Sequence, residues 1–482
     1  MAGVAVTMLA TAGVGLLMGS WQGAVHMALS ATVVGVLSAV SLWAGRNTHL
    51  KQLDRRQALL VVSLSWATLC VVGGLPFVIG ADFTLAEAIF ESTSGFTTTG
   101  ATVLPEIHER LNPALHFWRM LSHWLGGMGI VVLFVAVFPA LGVGGKHLFR
   151  SEVPGPKSKG LSPRIRETSS VLWKLYVGIT LLEIGLLLPF FRGVMPDAEW
   201  RVVIFEATVH AFSTMGTGGF STLNGSIGEL NSWAIECIIL VFMVVAGMNF
   251  GLFHEMLRRG PGVVWRDTQT RVYLAILAVV SVLCAVSIFR SDADIGPLEA
   301  LRHASFTTAS VMSTTGYGNA DFDAWPTVTR MLLLVLYFTG ACSGSTAGGM
   351  KLIRVVALTK TAWSELKKSF RPHLVAPVRV GRGAVGQDTL VAIMAFLFLY
   401  VATVGAGAVW VAWVDRTDGT TAIMASLACV SNVGPGFGAV GPTQNFGFLS
   451  GPTHVVLSFL MLLGRLEFLT VLALFTPVYW KR

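Results

Sequence analysis

Long apolar runs recur down the whole chain, each closed by a polar segment: residues 58–79, 115–141, 177–190, 233–253, 273–288, 331–341, 389–414 and 455–477. Most approach or exceed the roughly 20 residues that a helix needs to cross a bilayer. Two more apolar helices are expected before them, at about 4–19 and 23–43. The first basic residue is Arg46, so the chain lacks the basic opening of a cleaved signal peptide. The pattern predicts an all-α integral membrane protein.

Composition agrees: 53% of the residues are apolar, 12% are charged, and the mean hydropathy is +0.68. A soluble domain carries about 25% charged residues to solvate its surface. The net charge of +8 could suggest nucleic acid, but its distribution argues for a membrane and no nucleic-acid partner. Lys and Arg gather in 46–56, 146–174, 258–271, 351–382 and 481–482. Cytoplasmic loops collect such residues, so these clusters and both termini are expected in the cytoplasm. The intervening loops carry most of the acids, among them Asp82, Glu87, Glu91, Asp197, Glu199, Asp321, Asp323, Asp415 and Asp418. An acidic outer face would concentrate cations. Cys70, Cys237, Cys284, Cys342 and Cys429 stand singly in or beside apolar segments, which favours packing over disulfides or metal.

Between successive basic clusters the chain must leave and return, so each of the four intervals after Arg56 is expected to hold two spans. Each interval also holds a segment too short and polar to cross. These read GFTTTGAT at 95–102, AFSTMGTGG at 211–219, VMSTTGYGN at 311–319 and CVSNVGPGF at 429–437. Aligned on Gly100, Gly216, Gly316 and Gly434, all carry a hydroxyl three residues earlier: Thr97, Ser213, Ser313 and Ser431. The glycine spacings are 116, 100 and 118, a long-period repeat of the kind found in transporters. A short helix is expected before each, opening near Asp82, Asp197, Pro297 and Asp418. Its carbonyl end would face the motif and stabilise a cation. Non-helical backbone at membrane depth is tolerated only inside protein or beside a watery cavity, so four such loops imply one shared cavity.

TTGYG at 314–318 differs by one residue from TVGYG, the potassium-channel filter whose carbonyls replace the hydration shell of the ion. With four copies in equivalent places, the chain after about Arg56 resembles the Trk/Ktr/HKT superfamily of potassium transporters. HWLGGMGIVVL at 123–133 and GACSGSTAGGMK at 340–351 are similar to that family as well. The two extra N-terminal helices favour its bacterial TrkH branch.

The resemblance implies four pseudo-symmetric units, each an M1 helix, a pore helix and an M2 helix, around one central pore. The units would be 51–150, 151–262, 263–370 and 371–482, after the two N-terminal helices in 1–50. It assigns ion contacts to the carbonyls of Thr98, Thr99, Gly100, Thr214, Met215, Gly216, Thr314, Thr315, Gly316, Asn432, Val433 and Gly434. In the family, glycine at all four filter positions accompanies potassium selectivity and serine in the first accompanies sodium transport; the first here is Gly100, so the resemblance favours potassium. The outer parts of the four segments differ, so fewer well-formed ion sites are expected than in a four-fold channel.

Each second span meets glycine some 12–16 residues in: Gly126-Gly127, Gly247, Gly340 and Gly464. At 1.5 Å per residue these expected flexible points lie about 18–24 Å along the helix, below the filter. The third is the most broken. The resemblance implies that Gly340, Ala341, Cys342, Ser343, Gly344, Ser345, Thr346, Ala347, Gly348 and Gly349 form an intramembrane gating loop. Arg465 lies inside an apolar helix, where a charge costs roughly 2.5–3.5 kcal/mol on the lenient scale. It is either a structural ion pair, with Glu467 a candidate partner, or, as the resemblance implies, a positive barrier below the filter.

The expected function is potassium uptake across the bacterial inner membrane, with K+ as cargo and no covalently bound cofactor. Expected partners are membrane lipid, a second copy of the chain, and a cytosolic RCK-type, TrkA-like nucleotide-binding ring. The rival readings are the potassium-binding subunit of a P-type ATPase complex and an intramembrane hydrolase built on Ser345. GTGGFS and GYGNAD lack the strand–helix context of dinucleotide loops, and His254-Glu255 lacks a second histidine.

Overall fold

The computed structural model describes residues 1–46, 55–132, 163–291, 294–371, 377–380 and 383–480. The basic pair 481–482, parts of the basic clusters 46–56, 146–174 and 351–382, and the expected unit boundaries at 50 and 150 lie outside them. Apart from one two-stranded antiparallel ribbon, Arg379–Val380 with Gly383–Ala384, the regular structure described is helical.

The N-terminal pair is α1 (Ala2–Leu17) and α2 (Trp21–Gly45), packed on each other. A first group follows: α3 (Arg55–Gly73) with its continuation α4 (Leu75–Ala81), a half-helix α5 (Leu85–Phe96), and α6 (Pro113–Val132). The second holds α7 (Pro163–Val194), half-helix α8 (Trp200–Gly216), α9 (Trp233–Ala246) and α10 (Phe250–Arg259). The third holds α11 (Thr268–Ser291), half-helix α12 (Pro297–Met312), α13 (Thr327–Thr339) and α14 (Leu352–Phe370). The last holds α15 (Gln387–Asp415), half-helix α16 (Gly419–Ser431), α17 (Gly451–Leu466) and α18 (Phe468–Leu472).

Local chemistry sets where the half-helices begin. Thr84 and Glu87 form a reciprocal capping box at α5, and Pro297 occupies the first turn of α12. Asp418 caps α16 through the Thr421 N–H, and its bonds to Thr421 hold the carboxyl below its usual range. The first two starts differ from expectation. Asp82 closes α4 in the left-handed region, and Asp197 lies in a turn ahead of α8.

The packing order is cyclic. The outer helix of each group packs on its own half-helix: α3 on α5, α7 on α8, α11 on α12 and α15 on α16. The helix after each loop packs on the half-helix of the next group: α6 on α8, α9 on α12, α13 on α16, and α17 back on α5. The helices α1 and α2 lie against α6.

Among the described residues, five helices are long and apolar enough to cross a membrane, or up to seven if two bent pairs count as spans. The expected two spans per interval are more than this. The shortfall falls on the inner helices. α9 meets α10 at 91°, α17 meets the following helical segment at 113°, and α13 stops at Gly340 after 13 residues.

Candidate ion-conducting site

Each half-helix ends in the same turn. Thr98, Thr217, Thr314 and Asn432 have φ of 53°, 55°, 58° and 55°, and the glycines two residues on, Gly100, Gly219, Gly316 and Gly434, have φ of 81°, 78°, 82° and 91°. In all four the N–H of the left-handed residue bonds a carbonyl three residues back, and the next N–H bonds one five back. For the first segment these are Thr98 to Gly95 at 3.0 Å and Thr99 to Ser94 at 2.8 Å; for the second, Thr217 to Thr214 and Gly218 to Ser213, each at 2.9 Å. This is the Schellman closure of a helix C-terminus. Left-handed backbone on β-branched threonine stores on the order of 1–3 kcal/mol, the kind of strain found at functional sites.

The glycines then close a ring. A Cβ on Gly100 would lie 2.0 Å from the Gly218 carbonyl oxygen, one on Gly219 2.0 Å from Thr315 O, one on Gly316 2.1 Å from Val433 O, and one on Gly434 2.5 Å from Thr99 O. Each segment therefore sets its glycine against a carbonyl of the next, and the fourth returns to the first. Both the positive φ and the close approach demand glycine.

This geometry corrects the second segment. Thr214, Met215 and Gly216 lie in the last turn of α8, and the equivalents of Thr98–Gly100 are Thr217, Gly218 and Gly219. The spacings between ring glycines become 119, 97 and 118. The hydroxyl at a fixed offset produced the slip: Ser213 imitates Thr97, whereas the residue before Thr217 is Gly216. The signal that would have found the register is the residue after the glycine, since Gly219-Phe220 parallels Gly316-Tyr317. The other segments stand as aligned. Thr97 and Thr99 share a hydroxyl hydrogen bond of 2.7 Å, as do Ser313 and Thr315, and Asn432 donates to Thr99 Oγ1 at 3.0 Å.

Against known proteins, the profile of the TrkH family, described as cation transport protein, matches residues 26–482. The chain belongs to the TrkH family. It is 37% identical over 446 residues to the Trk system potassium uptake protein TrkH of Salmonella typhimurium, covering 91% of this chain and 89% of that one. With TrkH of Vibrio parahaemolyticus the identity is 36% over 482 residues, covering 99% and 96%. The crystal structure of the potassium transporter TrkH from Vibrio parahaemolyticus superposes with a TM-score of 0.88 at 34% identity, over 100% of this chain and 97% of that one. TrkH membership makes the chain a multi-pass membrane protein of a transporter family and sets the ATPase-subunit and hydrolase readings aside. Ser345, the hydrolase candidate, donates its hydroxyl to the Cys342 carbonyl at 2.6 Å.

Directly beneath the ring lies the buried loop 340–349. The Gly348 N–H donates to Thr314 Oγ1 at 2.8 Å, and a Cβ on Gly348 would sit 2.6 Å from Asn432 Cβ. The loop also completes the broken inner helix of the second group. The Cys342 N–H bonds Gly247 O, the Thr346 N–H and Oγ1 reach Ala246 O, and the Phe250 N–H returns to Gly344 O. The end of α9 thus finds donors for carbonyls that would otherwise stand unpaired at membrane depth.

Arg465 is 1% exposed and donates through Nη1 to Thr346 O at 2.7 Å and through Nη2 to Gly126 O at 3.2 Å. Glu467 is not its partner; that carboxylate pairs with Arg354 at 2.5 Å. Two expected flexible points also change character. Gly126-Gly127 and Gly464 lie inside continuous helix, where a Cβ on Gly126 would meet Phe96 O at 2.0 Å and one on Gly464 would meet Val430 O at 2.0 Å. They let the inner helices touch the half-helix ends. The break in the fourth group falls at Glu467, φ 67°.

Proposed function

We propose that this chain is the ion-conducting subunit of a potassium uptake system, with a four-segment carbonyl filter on one central pore. The relatives are named as Trk system potassium uptake proteins, and the closed ring of glycines against carbonyls carries the reading. Four units, each an outer helix, a pore half-helix and an inner helix, surround that pore, and α1 and α2 stand beside the first. The ion ligands are carbonyls of Thr98–Gly100, Thr217–Gly219, Thr314–Gly316 and Asn432–Gly434. Fixed carbonyl dipoles replace the water that K+ gives up, and the four helix C-termini add negative potential.

In this reading the loop 340–349 is the gate. It sits against the inner ends of the third and fourth segments, so it obstructs the pore until it withdraws. A cytosolic TrkA-like nucleotide-binding ring would drive that withdrawal from the basic cytoplasmic face. The assembly would be a homodimer in the bacterial inner membrane with both termini cytoplasmic.

The deciding experiment measures K+ against Na+ permeability in vesicles reconstituted with purified protein. Gly219→Ala should lower the K+ preference, whereas the volume-conserving Met215→Leu should leave it intact. An unaltered preference in folded Gly219→Ala would overturn the filter.

A further inference from the structure

The ring is gripped from its outer side by buried charge. Arg119 of α6 and Glu91 of α5 form an ion pair at 2.8 Å with neither side chain exposed. Arg119 also donates to Thr102 Oγ1 and to the Ser221 carbonyl, each at 3.3 Å, and its guanidinium lies 3.9 Å from the Phe220 ring centroid. Glu91 accepts from Thr102 Oγ1 at 3.0 Å and from the Val103 N–H at 3.1 Å. Thr102 stands two residues beyond Gly100, and Phe220 and Ser221 stand one and two beyond Gly219. One guanidinium therefore holds the strands leaving the first and second segments.

Such a pair is a poor way to obtain stability alone. Apolar residues of equal volume are often as stabilising, while a fixed fork of donors imposes a geometry that apolar packing cannot. The next joint of the ring also carries an ion pair, here with the carboxylate on the inner helix and the guanidinium on the half-helix of the next group rather than of its own. There Glu236 of α9 pairs with Arg302 of α12 and accepts from Asn319 Nδ2 at 2.8 Å, three residues beyond Gly316. At the third joint the Tyr337 hydroxyl of α13 donates to Pro435 O at 2.6 Å, one residue beyond Gly434. At three joints an inner-helix side chain thus fixes the segment just past the next glycine.

We propose that Arg119 is a positioning residue for ion discrimination: with Glu91 it sets the separation of the first and second filter segments, and so the spacing of carbonyls that distinguishes K+ from Na+. This rests on the filter reading above. The carbonyls Thr99 O and Gly218 O belong to the two segments that Arg119 spans, and they have different backbone neighbours, so strict symmetry does not hold their distance. The clamp supplies what symmetry supplies in a four-fold channel.

The test is the K+/Na+ permeability ratio of reconstituted vesicles for Arg119→Lys, Thr102→Val and Gly219→Ala, with the melting temperature of each preparation. Lysine keeps the charge and loses the fork; valine keeps the ion pair and loses one anchor. Each clamp variant should lower the ratio about three- to tenfold, the effect of roughly one hydrogen bond on an equilibrium. If both leave the ratio unchanged while Gly219→Ala lowers it, the clamp is architectural and the proposal is overturned. If Gly219→Ala is also without effect, the filter reading itself fails. Should Arg119→Lys not fold, Thr102→Val decides alone, because the buried pair remains whole in it.

Discussion

Arg465 holds the carbonyl of Thr346 at 2.7 Å, so the one charge in the apolar α17 is spent on the loop beneath the ring. Its second bond, to Gly126 O, reaches the inner helix of the first group. The guanidinium thus straps the loop to two neighbouring helices. This differs from an ion pair with Glu467, whose carboxylate is taken by Arg354.

Arg465→Gln should therefore release the loop. A hydrogen bond from a charged group contributes about 1.5–3 kcal/mol, and at least one such bond to the loop or to Gly126 is lost. Potassium flux per folded protein, measured in vesicles without any regulatory partner, should rise, and the melting temperature in detergent should fall. A variant that melts early yet conducts like the parent would show that the strap is architectural.

The register of the second segment gives a sharp contrast. At Gly219 any side chain meets both φ 78° and a carbonyl 2.0 Å away, so Gly219→Ala must deform the ring. Met215, one turn earlier and fully buried, faces no such demand. Its change to leucine should cost less than about 1.5 kcal/mol. Comparing 86Rb+ uptake and its competition by Na+ for the two variants should show altered discrimination only for Gly219→Ala.

What could be read from the sequence follows the physics that is local. Apolar runs placed the helices, and TTGYG at 314–318 marked one turn of the ring, because backbone conformation and hydropathy act over a few residues. The second segment was misplaced because its half-helix runs one turn further, which no hydroxyl count can show. Glycine was equally ambiguous. Gly340 does end a helix, φ 61°, but Gly126 and Gly464 are small so that another backbone can approach, a property of the neighbour. Glu91 was placed among the outer acids, yet it is wholly buried against Arg119. Its partner lies 28 residues away, and only the folded ring brings the two together.

Those two meanings of glycine can be separated. Were Gly464 a hinge, alanine would stiffen the helix and leave it stable, since alanine favours helix by about 1 kcal/mol. Instead a Cβ there would lie 2.0 Å from Val430 O and 2.9 Å from the Asn432 side-chain oxygen. Gly464→Ala should cost about 1–3 kcal/mol through overpacking. Lower yield and an earlier melting transition are expected, with Gly405→Ala, in open space on α15, as the harmless control.

The loop itself is best tested by a single atom group. Deleting 341–348 would raise flux if the loop obstructs the pore, but it would also strip the donors that satisfy Ala246 and Gly247 at the end of α9. Loss of fold and loss of gate would then be confused. Gly348→Ala avoids this, because its Cβ would lie 2.6 Å from Asn432 Cβ and something must shift. Asn432 is tied twice, to Thr99 Oγ1 and to Met461 O, each at 3.0 Å, whereas Gly348 is held to the ring by its bond to Thr314 Oγ1. The loop should therefore be the part that retreats. Flux without a regulatory partner should rise while the K+ preference stays as in the parent, because the carbonyl ring is untouched. If Asn432 yielded instead, the preference would fall together with the change in flux. A folded variant with parental flux would mean that the loop does not block the pore.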